Sequence, residues 1–365
     1  MNNAAKCNNP WISWQQSLVD ETSAALGRMT HLPTLWRRVR RIRKGVTPCE
    51  TVYEEDRLQL RHYLSERPPR YRTPIVFIYA LVNRPYILDL KKGRSVIANF
   101  VNHGFDTYLV DWGTPSYADR HLTLDDYING YMVNVLNYLR ERTGLEKMNL
   151  LGYCMGGAMS AMFTALHQDR VRNLILMAAP IDFAAQDSLL NVWTRAENFD
   201  VDKLIDAFGN CPPELLQSSF LLLRPVGNLI EKPINFFENM HDEQFLEDFL
   251  TTETWLQDNI AVPGEVFRQF VKDLYQKNLL TQNRLLVGKH IVNLKKITCP
   301  VLNIMASKDD LVPCSQGMPF TDLVRSKDRK TILLAGSGHI GLAIGGRAQR
   351  EVWPQACQWL AQRTR

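Results

Sequence analysis

The chain has 365 residues, 45% hydrophobic and 22% charged, enough to bury a sizeable core as one large α/β domain or a domain carrying an insertion. Its formal net charge of +5 is exceeded by the six cations Arg37, Arg38, Arg40, Arg41, Arg43 and Lys44 alone, so the basicity is local. Seven scattered cysteines (Cys7, Cys49, Cys154, Cys211, Cys299, Cys314, Cys357) without C-x-x-C spacing indicate neither a zinc site nor a disulfide framework, and no signal-like core between Met1 and Asp20 and no run near roughly 18 apolar residues exists, so a soluble or peripherally attached cytoplasmic protein is expected.

Residues 1 to 50 form an N-terminal segment with weak helical spacing between Trp11 and Leu26. Leu35, Trp36, Val39 and Ile42 among the six cations then predict a short basic amphipathic helix. It suits an anionic lipid surface, an acidic partner, nucleic-acid phosphates or simply a solvated helix face covering part of the core. Residues 51–183 read as the first part of an α/β core. Pro74 to Ala80 and Asp106 to Gly113 are apolar runs typical of parallel strands covered on both faces, with helical spacing over Gly93 to Phe100 and Leu124 to Glu141. Lys147 to Leu151 and Val171 to Ala178 continue the alternation, so a mostly parallel, doubly wound sheet is predicted. From 184 to 295 the alternation stops and helical spacing takes over, as expected of a cap inserted at the sheet's functional edge. The second core part, 296–365, brings strands over Cys299 to Ala306 and Lys330 to Leu334.

The chemistry centres on Gly152-Tyr153-Cys154-Met155-Gly156, where an apolar run breaks and a helical pattern begins. This is the nucleophile-elbow spacing G-x-S-x-G with cysteine in the serine's place. Small residues at Gly152 and Gly156 let strand and helix approach, and the turn puts the thiol by the first N–H groups of a helix, where positive partial charge favours a thiolate. A buried cysteine between two helix-packing glycines would give the same local pattern. Position decides between them, because an elbow needs a carboxylate and then a histidine, each on a loop after a later strand. Asp309 follows the Cys299 to Ala306 strand, and His339 lies in the glycine-rich loop Ala335 to Gly341 after the next one. Asp309 taken alone also reads as a turn aspartate capping a helix.

Together these residues predict an α/β-hydrolase fold with a Cys154–His339–Asp309 triad. A free thiol with a pKa of about 8.5 is largely protonated at neutral pH, so an adjacent imidazole that accepts its proton activates it. Asp309 would fix the imidazole's tautomer, and the backbone N–H groups of Met155 and Val82 are the candidate oxyanion donors. Cysteine exchanging with a thioester keeps the acyl group activated, which favours acyl transfer over hydrolysis.

Longer stretches carry a family resemblance: Gly45 to Pro48, Tyr79 to Tyr86, Leu109 to Gly113, Leu122 to Tyr131, the elbow, Phe267 to Phe270, Ile297 to Ile304 and Gly338 to Gly341. In these the chain, from about Gly45 to Leu360, resembles the polyhydroxyalkanoate synthases, specifically the short catalytic subunits of the two-subunit type, class III rather than class IV. The resemblance implies an acyltransferase that polymerises (R)-3-hydroxyacyl units from coenzyme A thioesters, usually 3-hydroxybutyryl, into an intracellular polyester. It needs no cofactor or metal, since coenzyme A is part of the substrate and a product. Cys154 matches the acylated cysteine, His339 the histidine and Asp309 the aspartate assigned to activating the 3-hydroxyl, directly or through the histidine. It further implies a homodimer, a second subunit of the PhaE rather than the PhaR type, no nucleic acid, the growing polyester as a bound chain, and a place at the surface of cytoplasmic granules. The sequence departs from the family in having Asp310, where a histidine is usual, after Asp309. The competing readings are a cysteine-dependent thioesterase or hydrolase of the same fold, and a non-catalytic granule scaffold.

Overall fold

The computed structural model describes residues 44–185 and 187–364. The predicted helix around Trp11 to Leu26 and all of the basic segment except Lys44 lie outside the described residues.

The chain enters with an antiparallel hairpin, β1 (Cys49–Glu55) and β2 (Leu58–Tyr63), turning at Asp56 with φ 52°. Sequence periodicity did not predict this pair. β1 is an edge strand carrying Glu50, Glu54 and Glu55, so it offers little apolar signal, and charge on an edge strand discourages unwanted pairing. Next come β3 (Tyr71–Ile78), α1 (Val96–Asn102), β4 (Phe105–Asp111), α2 (Met132–Thr143), β5 (Met148–Tyr153), α3 (Met155–Leu166) and β6 (Val171–Met177). Each predicted core strand has its counterpart within a few residues. The predicted helix over Leu124 to Glu141 is subdivided, because Asp126–Tyr131 takes the wider π form before α2 begins.

After the insertion the sheet resumes with β7 (Val301–Ala306) and β8 (Arg329–Leu334), followed by the short α4 (His339–Ile344) and by α5 (Trp353–Ala361). The eight strands lie in the order β1-β2-β4-β3-β5-β6-β7-β8; β3 through β8 run parallel, and β2 pairs antiparallel with β4. Ile75, Val76, Phe77 and Ile78 of β3 are wholly buried, as are Leu174, Ile175 and Leu176 of β6. Helices on both faces explain why these strands read as continuous apolar runs.

Two compact units are distinguishable. The described part of the smaller is Pro225–Thr254; the larger contains residues 44–224 and 255–364. Within the smaller, Phe236 packs on Phe249 with ring centroids 4.6 Å apart and Lys232 pairs with Glu253 at 2.5 Å, while Leu229, Ile230, Ile234 and Phe237 are exposed. In the larger, the sheet is joined by helices Leu189–Trp193, Val201–Phe208, Pro213–Leu222 and Gly264–Gln269. Arg268 ties two of them, bonding Asp202 and Asp206 as well as Glu265. Lys44 pairs with Asp258. No helix among the described residues is long and apolar enough to cross a membrane.

Candidate active site

The strand-to-helix turn is built by glycines that no other residue can replace without displacing backbone. A Cβ on Gly152 would lie 2.5 Å from the Gly157 Cα and the Ser160 Oγ, and one on Gly157 would lie 2.4 Å from the Ala179 Cβ. A Cβ on Gly156 would meet the Ile78 and Tyr79 carbonyl oxygens at 2.3 and 2.5 Å, so the first turn of α3 lies directly against the carboxyl end of β3. Gly156→Ala is therefore expected to cost about 1–3 kcal/mol through overpacking, readable as a lowered urea midpoint. An unchanged midpoint would mean that the two backbones separate freely.

Cys154 caps α3 with φ 56° and ψ −127°, a conformation rare for a residue with a side chain. The turn is held from below: the Cys154 N–H donates to the Met177 carbonyl at 2.9 Å, and the Gly157 N–H returns to the Cys154 carbonyl at 2.9 Å. Its side chain is half-buried. Met155 is the first residue of α3, so its N–H belongs to the set for which an α-helix offers no internal acceptor. Val82 lies in the loop that leaves β3, just ahead of the 3₁₀ turn Pro85–Leu88.

The loops after β7 and β8 are laced together. The Lys308 N–H donates to the Ser337 carbonyl at 2.8 Å and the Gly336 N–H to the Ser307 hydroxyl at 2.8 Å, with Gly336 at φ +71°. That lacing brings His339, the first residue of α4, to Asp309: His339 Nδ1 and Asp309 Oδ2 are 2.7 Å apart. The other carboxylate oxygen, Oδ1, accepts from the Leu311 and Val312 N–H groups at 3.0 and 2.8 Å. Asp309 is thus both a turn aspartate and an imidazole partner, one oxygen for each task. Asp310 faces away; its side chain is 52% exposed and 3.4 Å from the Arg224 Nε.

Burial acts to lower the His339 pKa, but the Asp309 carboxylate, the nearby Cys154 sulfur and the hydrogen bond to Asp309 outweigh it and hold the imidazole well above its ordinary value. A raised folded-state value means that folded protein binds the proton more tightly. The resulting stability is fully present below the unfolded value of about 6.5 and is lost as pH climbs toward the raised one. Denaturant titrations of parent and His339→Gln should accordingly differ more at pH 6 than at pH 9; an equal difference at both would remove the raised value.

Sequence reasoning missed the aromatic surround. Tyr153, wholly buried, stacks on the His339 ring with centroids 4.9 Å apart, and its hydroxyl donates to the His339 carbonyl at 3.2 Å. Tyr79, Tyr153 and Tyr275 all have phenol pKa values raised by burial and further by the Cys154 charge, so all three are electrostatic neighbours of that sulfur. Phe183 meets Tyr275 and Phe270 edge-on at 4.8 and 5.6 Å, extending the apolar surface. Tyr153 was the one findable from sequence, because it directly precedes the cysteine at the end of an apolar strand. Of the cysteines, Cys211, Cys299 and Cys357 are buried with thiol pKa values pushed up by that burial. Among the described residues no group of three or more His, Cys, Asp or Glu side chains could hold a metal ion.

The strand order, the elbow and the two loop residues define an α/β hydrolase, and residues 73–345 match the family described as alpha/beta hydrolase fold. A putative lipase from Sulfolobus solfataricus superposes with TM-score 0.53 at 14% identity, covering 87% of this chain and 98% of that one; the likeness concerns the fold alone. Much greater sequence similarity exists to two curated proteins named poly(3-hydroxyalkanoate) polymerase subunit PhaC. That of Allochromatium vinosum is 45% identical over 87% of this chain and 90% of its own length, and that of Haloferax mediterranei 43% over 96% and 70%. The chain belongs to this PhaC family of poly(3-hydroxyalkanoate) polymerase subunits and is, by that membership, an acyltransferase.

Proposed function

We propose that the protein polymerises (R)-3-hydroxyacyl units, with 3-hydroxybutyryl the first candidate, through acyl-thioester intermediates on Cys154. The observation that carries this reading is a cysteine at the elbow of a chain whose relatives are polymerases, on a fold where His339 and Asp309 form a 2.7 Å pair. His339 takes the thiol proton, and the Cys154 sulfur attacks the thioester carbonyl. The Met155 and Val82 N–H groups receive the oxyanion. The carbon–sulfur bond to coenzyme A breaks, and coenzyme A leaves as a thiol with the proton from His339. The 3-hydroxyl of one unit then attacks the acyl-thioester of another, forming the ester bond, while its proton passes through His339 to the departing sulfur.

Asp309 acts through the imidazole in this scheme. Its side chain has no solvent exposure, and both oxygens already have partners, which supports proton transfer from the hydroxyl to His339 over a direct approach to the aspartate. The apolar surround of Phe183, Phe270 and Tyr275 suits an acyl chain. A homodimer, a second subunit of PhaE type and attachment to the polyester granule complete the proposal; they follow from the family.

The test mixes the purified protein with (R)-3-hydroxybutyryl-coenzyme A, with and without a candidate second subunit, and follows free thiol, turbidity and soluble hydroxyacid. Thiol release with insoluble polymer, absent in Cys154→Ala, is expected. Release of soluble acid alone would make the protein a thioesterase, and no release in either condition would leave a scaffold.

A further inference from the structure

The loop carrying Val82 is buried at Ala80 and Leu81 and turns at Asn83. Asn83 has left-handed backbone, φ 61°, is 7% exposed, and its side-chain oxygen finds no hydrogen-bond partner among the described residues. Asparagine adopts left-handed backbone more readily than other residues with a side chain, so it is contact from outside the loop that enforces this one choice. Here the enforcement comes from a segment more than 170 positions later in the chain. The Asn259 Oδ1 accepts the Asn83 N–H at 3.2 Å, and neighbouring positions of the same two segments reinforce the pairing, since the Trp255 Nε1 donates to the Arg84 carbonyl at 2.7 Å and the Tyr86 hydroxyl to Asp258 at 3.1 Å.

Asn259 is itself fixed at both ends of its amide. Its Oδ1 also accepts the following Ile260 N–H at 2.9 Å, and its Nδ2 donates to the Pro213 carbonyl at 3.2 Å. The amide therefore cannot turn without losing three bonds. We propose that Asn259 is a positioning residue for the acyl-transfer reaction: by gripping the Asn83 backbone it holds the adjacent Val82 N–H where the oxyanion develops. This rests on the reading of Cys154 as nucleophile and Val82 as oxyanion donor. Preorganised donors are effective because they need no rearrangement as charge appears, so a loop left free to relax forfeits that benefit.

The experiment compares Asn259→Ala and Asn259→Asp with the parent, using (R)-3-hydroxybutyryl-coenzyme A turnover and, separately, the rate at which iodoacetamide alkylates Cys154. Alkylation is a displacement that forms no oxyanion, so it reads the thiol and its imidazole without the loop. Asn259→Ala is expected to lower kcat about 10- to 100-fold with KM within threefold, on the scale of a misplaced donor. Alkylation should stay within twofold. Asn259→Asp keeps the acceptor for the Asn83 N–H but forfeits the donation to Pro213, and should recover part of the lost kcat. Turnover of Asn259→Ala within twofold of the parent would overturn the proposal, as would a parallel fall in alkylation or no recovery with aspartate. Persistent turnover in Cys154→Ala would instead sink the nucleophile assignment beneath it.

Discussion

Cys154→Ala is expected to lose coenzyme A release by about 10⁴-fold or more, because removing the proposed nucleophile from a unit whose members act together leaves only the contribution of binding and oxyanion donors. The substitution removes a half-buried sulfur and leaves the turn's backbone bonds to Met177 and from Gly157 in place, so the fold should survive it. Cys154→Ser is the more informative partner. A hydroxyl is a poorer nucleophile beside the same imidazole, and an ester formed on serine is a poorer acyl donor than a thioester, so this variant should turn over slowly. Intact mass after incubation with substrate reads both: an acyl adduct on the parent, none on alanine. An alanine variant retaining a tenth of parental thiol release would remove Cys154 from the mechanism.

The adjacent carboxylates should separate almost as widely. Asp309→Ala is expected to cost about 10³–10⁴-fold in turnover, the scale seen when a histidine loses the carboxylate that sets its tautomer. Asp310→Ala should stay within about threefold, because its pairing with Arg224 is exposed, and exposed pairs contribute little. Asp309→Ala also strips the acceptor from the Leu311 and Val312 N–H groups, so thermal melts of both variants must accompany the kinetics. Asp309→Asn, which keeps an oxygen for those two groups, tests the imidazole contact with less damage to the loop. Loss of activity in Asp310→Ala with a mild Asp309→Ala would reverse the assignment.

Much of this arrangement is legible in the residues. The parallel strands announce themselves because burial on both faces demands unbroken apolar runs, and the elbow does so because Gly152, Gly156 and Gly157 have no space for a Cβ. Asp309 and His339 are placed in the sequence by chain order and strand ends alone. What local pattern does not carry is anything made by distant chain segments meeting. The grip of Asn259 on Asn83 spans a long separation and involves two ordinary polar residues. The stacking of Tyr153 on His339 likewise depends on two strand ends converging. The β1–β2 hairpin escapes for another reason: its edge strand is charged and carries little apolar pattern, and only Leu58, Leu60 and Tyr63 of its partner strand reach the core. Contiguous residues therefore locate Cys154, Asp309 and His339 at strand ends, and tertiary contact supplies what surrounds them.

The backbone at Cys154 carries a further consequence. A side chain at φ 56° and ψ −127° works against the conformational preference of every L-residue, at a cost of about 1–3 kcal/mol that the packed strand and helix on either side must override. Glycine alone adopts such a conformation without that penalty. Cys154→Gly should therefore melt at a higher temperature than Cys154→Ala, despite having less to pack. With Cys154 in its proposed role, durability and reactivity pull in opposite directions at this position, and a chain drifting without selection for turnover would gain robustness by discarding its own sulfur.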